Sequence, residues 1–367
     1  MTEKDYMRRA ISLAVKGAGR VSPNPMVGAV IVKNGAIIGE GYHECYGQPH
    51  AERNALKNCT KSPAGADMYV TLEPCCHYGK NPPCTEAIIE AKIKRVFVGS
   101  FDPNPLVAGK GIKMLRDNGI EVIEDVLREE CDAVNEIFFH YITTKTPFVM
   151  MKYAMTMDGK IACHTGDAKW ISGEEARKNV QTDRNKFKAI MVGSGTVLAD
   201  DPMLNCRLEN GVNPIRIVCD SRLRITVDSK IVSTANEIPT IIATCCYDIE
   251  KCGKLIEKGC QIVRTEKVNG HIELNELMKL LGEMKIDSIL LEGGSELNWS
   301  ALNAGIVHKV QTYISPTIFG GSTSKTPVGG TGADSPAQAF MLEETAFSRF
   351  GEDIMIESRV VKKCSQE

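Results

Sequence analysis

The sequence predicts an α/β protein of two domains, each a sheet covered by helices. Three observations predict it. The 367 residues exceed one ordinary domain and suit two. Short runs rich in β-branched residues alternate with segments of helical period along most of the chain. A hydrophobic fraction of 43% and a charged fraction of 25% belong to a globular chain with enough apolar material for two cores.

In chain order, Met7, Ala10, Ile11, Ala14, Val15 and Ala18 fall at helical spacing, and VGAVIV then reads as a strand turning at Lys33-Asn34-Gly35 into AIIGEGYH. HAERNALKN reads as a helix from about His50 and ADMYVTLE as a strand; TEAIIEAK, RVFVGS, GKGIKMLRDNG and GIEVIE follow as helix, strand, helix and strand. A polar break, TTKTP, places the domain boundary at about residue 146, giving domains 1–145 and 146–367. Beyond it FVMMKYAMTMDGKIA, IRIVCD, IPTIIATCC, CQIVR, IDSILLEGG and HKVQTYISPTIFGG are strand candidates. Ser172 and Glu175 have the spacing of a capping box before ARKNVQTDRNK. LLEGGSELNWSAL is a strand, a Gly-Gly turn and a helix, which presents free backbone N–H groups to an anion but lacks the full Gly-x-Gly-x-x-Gly fingerprint.

Charge and composition exclude several classes. A net charge of −2 offers no bulk attraction to nucleic acid or an anionic membrane. MTEKDYMRRAISLAVKG lacks the apolar core of a signal peptide, and no segment approaches the roughly 20 apolar residues of a membrane span, so a cytoplasmic protein is expected. Most of the 14 cysteines are accordingly expected to be reduced, buried, small apolar residues.

TLEPCCHYGKNPPC, Thr71 to Cys84, concentrates three cysteines and one histidine between a strand and a helix. A catalytic zinc takes three protein ligands and leaves a fourth position for water. His-x-Glu followed by Pro-Cys-x-x-Cys is the signature of zinc nucleobase deaminases, and His50-Ala-Glu52 followed by Pro74-Cys75 meets most of it. Glu52, two residues from His50, is placed to move a proton without being a ligand. Position 78 is Tyr, so the third ligand comes from Cys76, His77 or Cys84. Cys84, immediately before a helix, has the setting that favours a thiolate.

The runs SPNPMVGAVIV, GYHECYGQPHAE and TLEPCCHYGKNPPC closely resemble the deaminase half of the bifunctional riboflavin-biosynthesis deaminase/reductases. The resemblance implies a cytidine-deaminase-like α/β/α sandwich, one zinc ion on His50, Cys75 and Cys84, and Glu52 as proton shuttle. It further implies substrate contacts at Asn24, His43, His77, Lys80, Asp102 and Asn104. KYAMTMDGKIA, GDAKWISG, VGSGTVLADDPMLNCR and LLEGGSELNWSAL resemble the reductase half of the same family, so the resemblance runs from residue 1 to about 361. For the second domain it implies a dihydrofolate-reductase-like α/β fold that uses NADPH. The implied cofactor contacts are Ala154, Trp170, Thr196, Asp200 and the turn Gly293, Gly294 and Ser295. Implied substrate contacts are Ala168, Arg184, Leu204, Arg207 and Glu292, with Lys152 and Asp200 at the hydride-transfer site. Ala168 stands where the family commonly has serine, which removes one hydroxyl contact. Arg222 and Arg224 are placed to meet a 2′-phosphate. The expected partners are phosphorylated pyrimidines, not nucleic acid or membrane, with the chain acting as a homo-oligomer.

Overall fold

The computed structural model describes residues 1–361, which divide into two compact units, 1–145 and Thr146 onward. In the first, the elements run α1 (Glu3–Ala14), β1 (Gly28–Lys33), β2 (Ala36–Tyr42), α2 (Ala51–Lys57), β3 (Asp67–Leu72), α3 (Cys84–Glu90), β4 (Arg95–Ser100), α4 (Lys110–Asp117), β5 (Glu121–Ile123), α5 (Arg128–Val134) and α6 (Glu136–Thr144). The sheet order is β2-β1-β3-β4-β5, antiparallel from β2 to β3 and parallel from β3 to β5.

Side-chain alternation builds a core on each face of this sheet. Ala29, Ile31, Met68, Val70, Val96 and Val98 pack with Ala55 of α2, Ile88 of α3 and Leu115 of α4. The intervening Val30, Val32, Tyr69 and Phe97 pack with Tyr6, Met7 and Ala10 of α1. Burial on both faces explains why β1 and β3 read as near-continuous apolar runs. A close backbone contact then places the chemistry: a Cβ at Gly41 of β2 would lie 2.6 Å from the Ala51 carbonyl oxygen, so only glycine lets α2 lie this close. His50 caps that helix.

The second unit runs β6 (Phe148–Thr156), α7 (Glu174–Lys186), β7 (Ala189–Gly193), α8 (Ser194–Asp200), β8 (Ile215–Cys219), α9 (Lys230–Ser233), β9 (Thr240–Thr244), α10 (Ile249–Glu257), β10 (Gln261–Arg264), β11 (Lys267–Val268), β12 (His271–Ile272), α11 (Leu274–Glu283), β13 (Ser288–Leu291), α12 (Ser295–Asn303), β14 (Lys309–Ser315), β15 (Leu342–Phe350) and β16 (Asp353–Val360). Its main sheet has nine strands in the order β10-β9-β8-β7-β13-β6-β14-β16-β15, parallel up to β14 and antiparallel beyond it. Met151, Met191, Ile217 and Leu291 pack against Leu277 and Leu281 of α11 and Ala301 of α12. On the other face Ile190, Val192, Val218 and Ile242 meet Val197 of α8, Ile231 of α9 and Leu255 of α10.

The capping box expected at Ser172 and Glu175 does not form. Gly173 is the N-cap of α7 and has no side-chain cap; its N–H donates to Asp353 Oδ2 at 2.6 Å, and the Ser172 carbonyl accepts from Arg177. A carboxylate from β16 supplies the anion that local spacing assigned to Glu175. Among the described residues no helix is long and apolar enough to cross a membrane.

Candidate active sites

In the first unit three elements converge. His50 ends the loop from β2, Cys75 lies just beyond β3, and Cys84 is the first residue of α3. Both sulfurs lie 3.5 Å from His50 Nδ1, and the three ligand atoms are all within 4.8 Å of one another. Nitrogen and sulfur ligands at tetrahedral corners, with bonds of about 2.0 and 2.3 Å to zinc, stand about 3.5 Å apart, so the donor set fits that ion. Among the described residues this is the one His/Cys/Asp/Glu group with such spacing. Cys76 is turned elsewhere, 3.9 Å from the Leu106 carbonyl.

The start of α3 directs the Cys84 N–H to the Cys75 sulfur at 3.4 Å. A hydrogen bond from the Cys84 thiol holds Cys75 down to about 4, and the same bond with burial pushes Cys84 well above the ordinary thiol range. Cys84 thus keeps the proton that bonds the two sulfurs, and a divalent cation bound there would displace it. Glu52, only 3% exposed, is buried in the first turn of α2, and loss of solvation raises its pKa. Arg53 ties the approach to Cys84 to α2, through Nε to the Pro82 carbonyl at 3.2 Å and Nη2 to the Pro83 carbonyl at 2.8 Å.

A cavity of 320 Å³ opens over this group, lined by Asn24, His43, His50, Glu52, Cys75, His77, Lys80, Asp102 and Asn104. His43 Nδ1 faces the Pro49 carbonyl at 3.2 Å, which only accepts, so Nδ1 carries the proton and Nε2 accepts from the Asn24 amide at 3.2 Å. Burial lowers the His43 pKa, consistent with the neutral ring. Burial raises Asp102 to about 6. Lys80 Nζ stands 4.1 Å from the centre of the Tyr46 ring at the cavity wall. Wall residues that sequence reasoning missed include Glu73 after β3, and Phe138, Tyr141 and Ile142 of α6. The apolar spacing in EIFFHYITT was the available signal for the last three.

The second unit has a cavity of 800 Å³, large enough for a dinucleotide-sized ligand. The starts of α8 and α12 form part of its wall, with Thr196, Asp200, Gly294 and Ser295, and Ala168 also lines it. Arg222 and Arg224 stand on the same wall, and Arg224 Nη2 donates to Ser194 Oγ at 2.9 Å. Backbone N–H groups at helix starts beside two guanidinium groups suit a phosphorylated cofactor such as NADPH.

Other expected site residues of this unit lie elsewhere. Arg184 forks onto Glu292, Nε to Oε1 at 3.0 Å and Nη2 to Oε2 at 2.9 Å, and Nη1 donates to the Asn205 carbonyl at 3.1 Å. That last bond holds the segment bearing Leu204 and Arg207. Lys152 of β6 has its Nζ 5.5 Å from the centre of the Tyr313 ring, and burial lowers its pKa despite the nearby Glu292 charge. Ala154 lies on the same strand, and Trp170 is exposed under the Arg177 guanidinium at 4.6 Å. Lys152, Ala154, Trp170, Arg184, Leu204, Arg207, Glu292 and Gly293 are not among the residues lining the 800 Å³ cavity.

The first unit is by class a zinc-binding deaminase: the family described as the cytidine and deoxycytidylate deaminase zinc-binding region matches residues 1–100. The second is a reductase of the kind described as the RibD C-terminal domain, which matches residues 147–356. Riboflavin biosynthesis protein RibD of Actinobacillus pleuropneumoniae is 54% identical over 361 residues, 98% of this chain and 96% of that protein. The RibD of Aquifex aeolicus is 42% identical over 96% of this chain and 97% of its own. Among solved structures, Acinetobacter baumannii RibD (form 1) superposes with a TM-score of 0.87 at 34% identity, covering 98% of this chain and 99% of that one. A Thermotoga maritima diaminohydroxyphosphoribosylaminopyrimidine deaminase/5-amino-6-(5-phosphoribosylamino)uracil reductase gives 0.85 at 39%, covering 98% of each. The chain belongs to the RibD family. It is therefore a bifunctional deaminase and reductase, with zinc and NADPH as cofactors.

Proposed function

We propose that the first unit deaminates 2,5-diamino-6-ribosylamino-4(3H)-pyrimidinone 5′-phosphate and that the second reduces the ribosyl group of the resulting uracil to ribityl. The observation that carries this reading is the tetrahedral spacing of His50, Cys75 and Cys84 beside a buried Glu52. Further support comes from the Thermotoga protein, whose name states both steps.

Zinc on those three ligands supplies Lewis acidity that brings the pKa of water toward neutrality. Glu52 takes a proton from the attacking water and passes it to the departing amine. A C–O bond forms, the C–N bond breaks, and ammonia leaves. His43, fixed in one tautomer, and Asn24 orient the pyrimidine with Asp102, Asn104 and His77, while Lys80 meets the phosphate. In the second unit NADPH supplies the reducing equivalent. Lys152 and Asp200 are the polar residues assigned to the hydride-transfer site there, and Thr196 with Gly294 and Ser295 of the glycine turn holds the cofactor. Three sets of guanidinium donors on Arg184 are engaged by Glu292 and Asn205, so Arg207 is the freer of the two arginines for the substrate phosphate. Action in the cytoplasm fits the absence, among the described residues, of a membrane-spanning helix. Self-association is supported by the edge strand β15, which exposes Leu342 and Phe347.

Wild-type reductase should show a kcat/KM for NADPH at least about tenfold above that for NADH, because Arg222 and Arg224 meet the 2′-phosphate. Replacing both by Gln should erode the NADPH value and leave the NADH value nearly unchanged. Equal efficiency with the two nucleotides in the wild type counts against this reading of the cavity.

A further inference from the structure

We propose that Glu73 is a positioning residue of the deaminase site: its carboxylate joins the loop bearing Cys75 to the loop bearing Asp102 and Asn104, and so sets substrate affinity. The proposal rests on the deaminase reading of the 320 Å³ cavity. Glu73 follows β3 directly and is 3% exposed, yet among the described residues it forms no ion pair. Its charge is met by backbone. Oε2 accepts the Gly109 N–H at 3.0 Å, and Oε1 accepts those of Gly111 at 3.0 Å and Ile112 at 3.3 Å.

These are donors at the start of α4, which a helix leaves without partners of its own. The N-cap, Gly109, has no side chain to cap them. A carboxylate from a distant segment takes that place, and its charge complements the positive end of the helix. The helix start is also pressed onto Pro74, because a Cβ at Gly111 would overlap the Pro74 carbonyl oxygen and lie 3.2 Å from Glu73 Oε1, so only glycine fits there.

The connection from β4 to α4 carries Asp102 and Asn104 and is otherwise tied mainly to itself. Asn104 N–H donates to Asp102 Oδ1 at 2.8 Å, and Leu106 N–H donates to Asn104 Oδ1 at 3.1 Å. At one end the Glu73 N–H donates to the Ser100 carbonyl at 2.9 Å, and at the other the Glu73 carboxylate holds Gly109. One residue therefore fastens both ends of the loop, two positions before the Cys75 ligand. Asp102, Asn104 and Val107 from this loop face the cavity together with Glu73 itself.

Glu73→Gln keeps the size but replaces one oxygen with an NH2 group that faces N–H donors, so one end of the joint loses its acceptor. Deaminase KM should rise about tenfold or more while kcat changes by less than about threefold. Zinc should stay at one per chain, and the reductase step should be unchanged. Glu73→Asp keeps the charge but draws the carboxylate back from the Gly109 and Gly111 N–H groups and should move KM in the same direction, which decides the matter if Glu73→Gln does not fold. Unchanged KM in the folded variants overturns the proposal, as does a loss of zinc or of kcat in step with the KM change. A wild-type protein that fails to deaminate the ribosylaminopyrimidine phosphate would instead overturn the deaminase reading itself.

Discussion

Glu52→Gln is expected to lower deaminase turnover by roughly 10²–10⁴-fold, the range a positioned acid–base group contributes. The glutamate is buried in the first turn of α2, and loss of solvation raises its pKa, which favours proton uptake. Glutamine fills the same space and cannot take the proton. Because Glu52 is not one of the three converging ligand residues, the variant should hold zinc at the wild-type level. Cys84→Ser should lose both zinc and deamination. Cys76→Ser, whose sulfur points to the Leu106 carbonyl, should keep both. Steady-state deamination and metal analysis on the three folded variants check the set. Near-normal turnover in Glu52→Gln, or zinc lost from Cys76→Ser and retained in Cys84→Ser, contradicts the assignment.

Arg184→Met should destabilise the second unit by about 3–5 kcal/mol, the cost of stranding one member of a buried ion pair. Side chains of Arg184 and Glu292 are only 14% and 15% exposed, and both carboxylate oxygens are engaged by the fork. Burial alone would raise the Glu292 pKa, but the Arg184 and Lys152 charges outweigh it and hold Glu292 down to about 2. A depressed carboxylate stabilises the fold above its unfolded pKa of about 4.3, and that contribution fades as pH falls toward 2. Wild-type unfolding free energy in denaturant should therefore drop across that window, with a shallower drop in the variant. Reductase activity should fall with stability, since Arg184 also holds the segment of Leu204 and Arg207, while deamination persists. A variant as stable as the wild type and equally reductive would contradict this.

Local signals were the legible ones. His50-Ala-Glu52 and Pro74-Cys75 lie within single turns or loops, and β1 and β3, buried on both faces, stand out as apolar runs. Elements made by long-range pairing did not stand out. LEETAFSRF of β15 is exposed along nearly its whole length and is a strand because β16 pairs with it. AIMVG of β7 is only five residues long and lies between two helices, too short for periodicity to separate from its neighbours. Phe138, Tyr141 and Ile142 reach the deaminase cavity from α6, more than fifty positions beyond Cys84; the apolar spacing of EIFFHYITT marks a helix face but not that it meets this cavity. The Gly173 cap shows the same limit, since its anion is Asp353. In the reductase unit the resemblance named some residues that line the 800 Å³ cavity and others, such as the paired Arg184 and Glu292, that do not, and spacing alone could not sort them.

The central claim is that one chain carries out two consecutive reactions at two separate sites. Its most direct test is to incubate purified wild-type protein with the ribosylaminopyrimidine phosphate, with and without NADPH, and read the product masses. Without NADPH the product should be about 1 Da heavier, as an amine gives way to an oxo group. With NADPH it should gain about 2 Da more, the two hydrogens of reduction. A product that is reduced while still carrying the original amine, or a deaminated product that NADPH leaves unchanged, would contradict the claim.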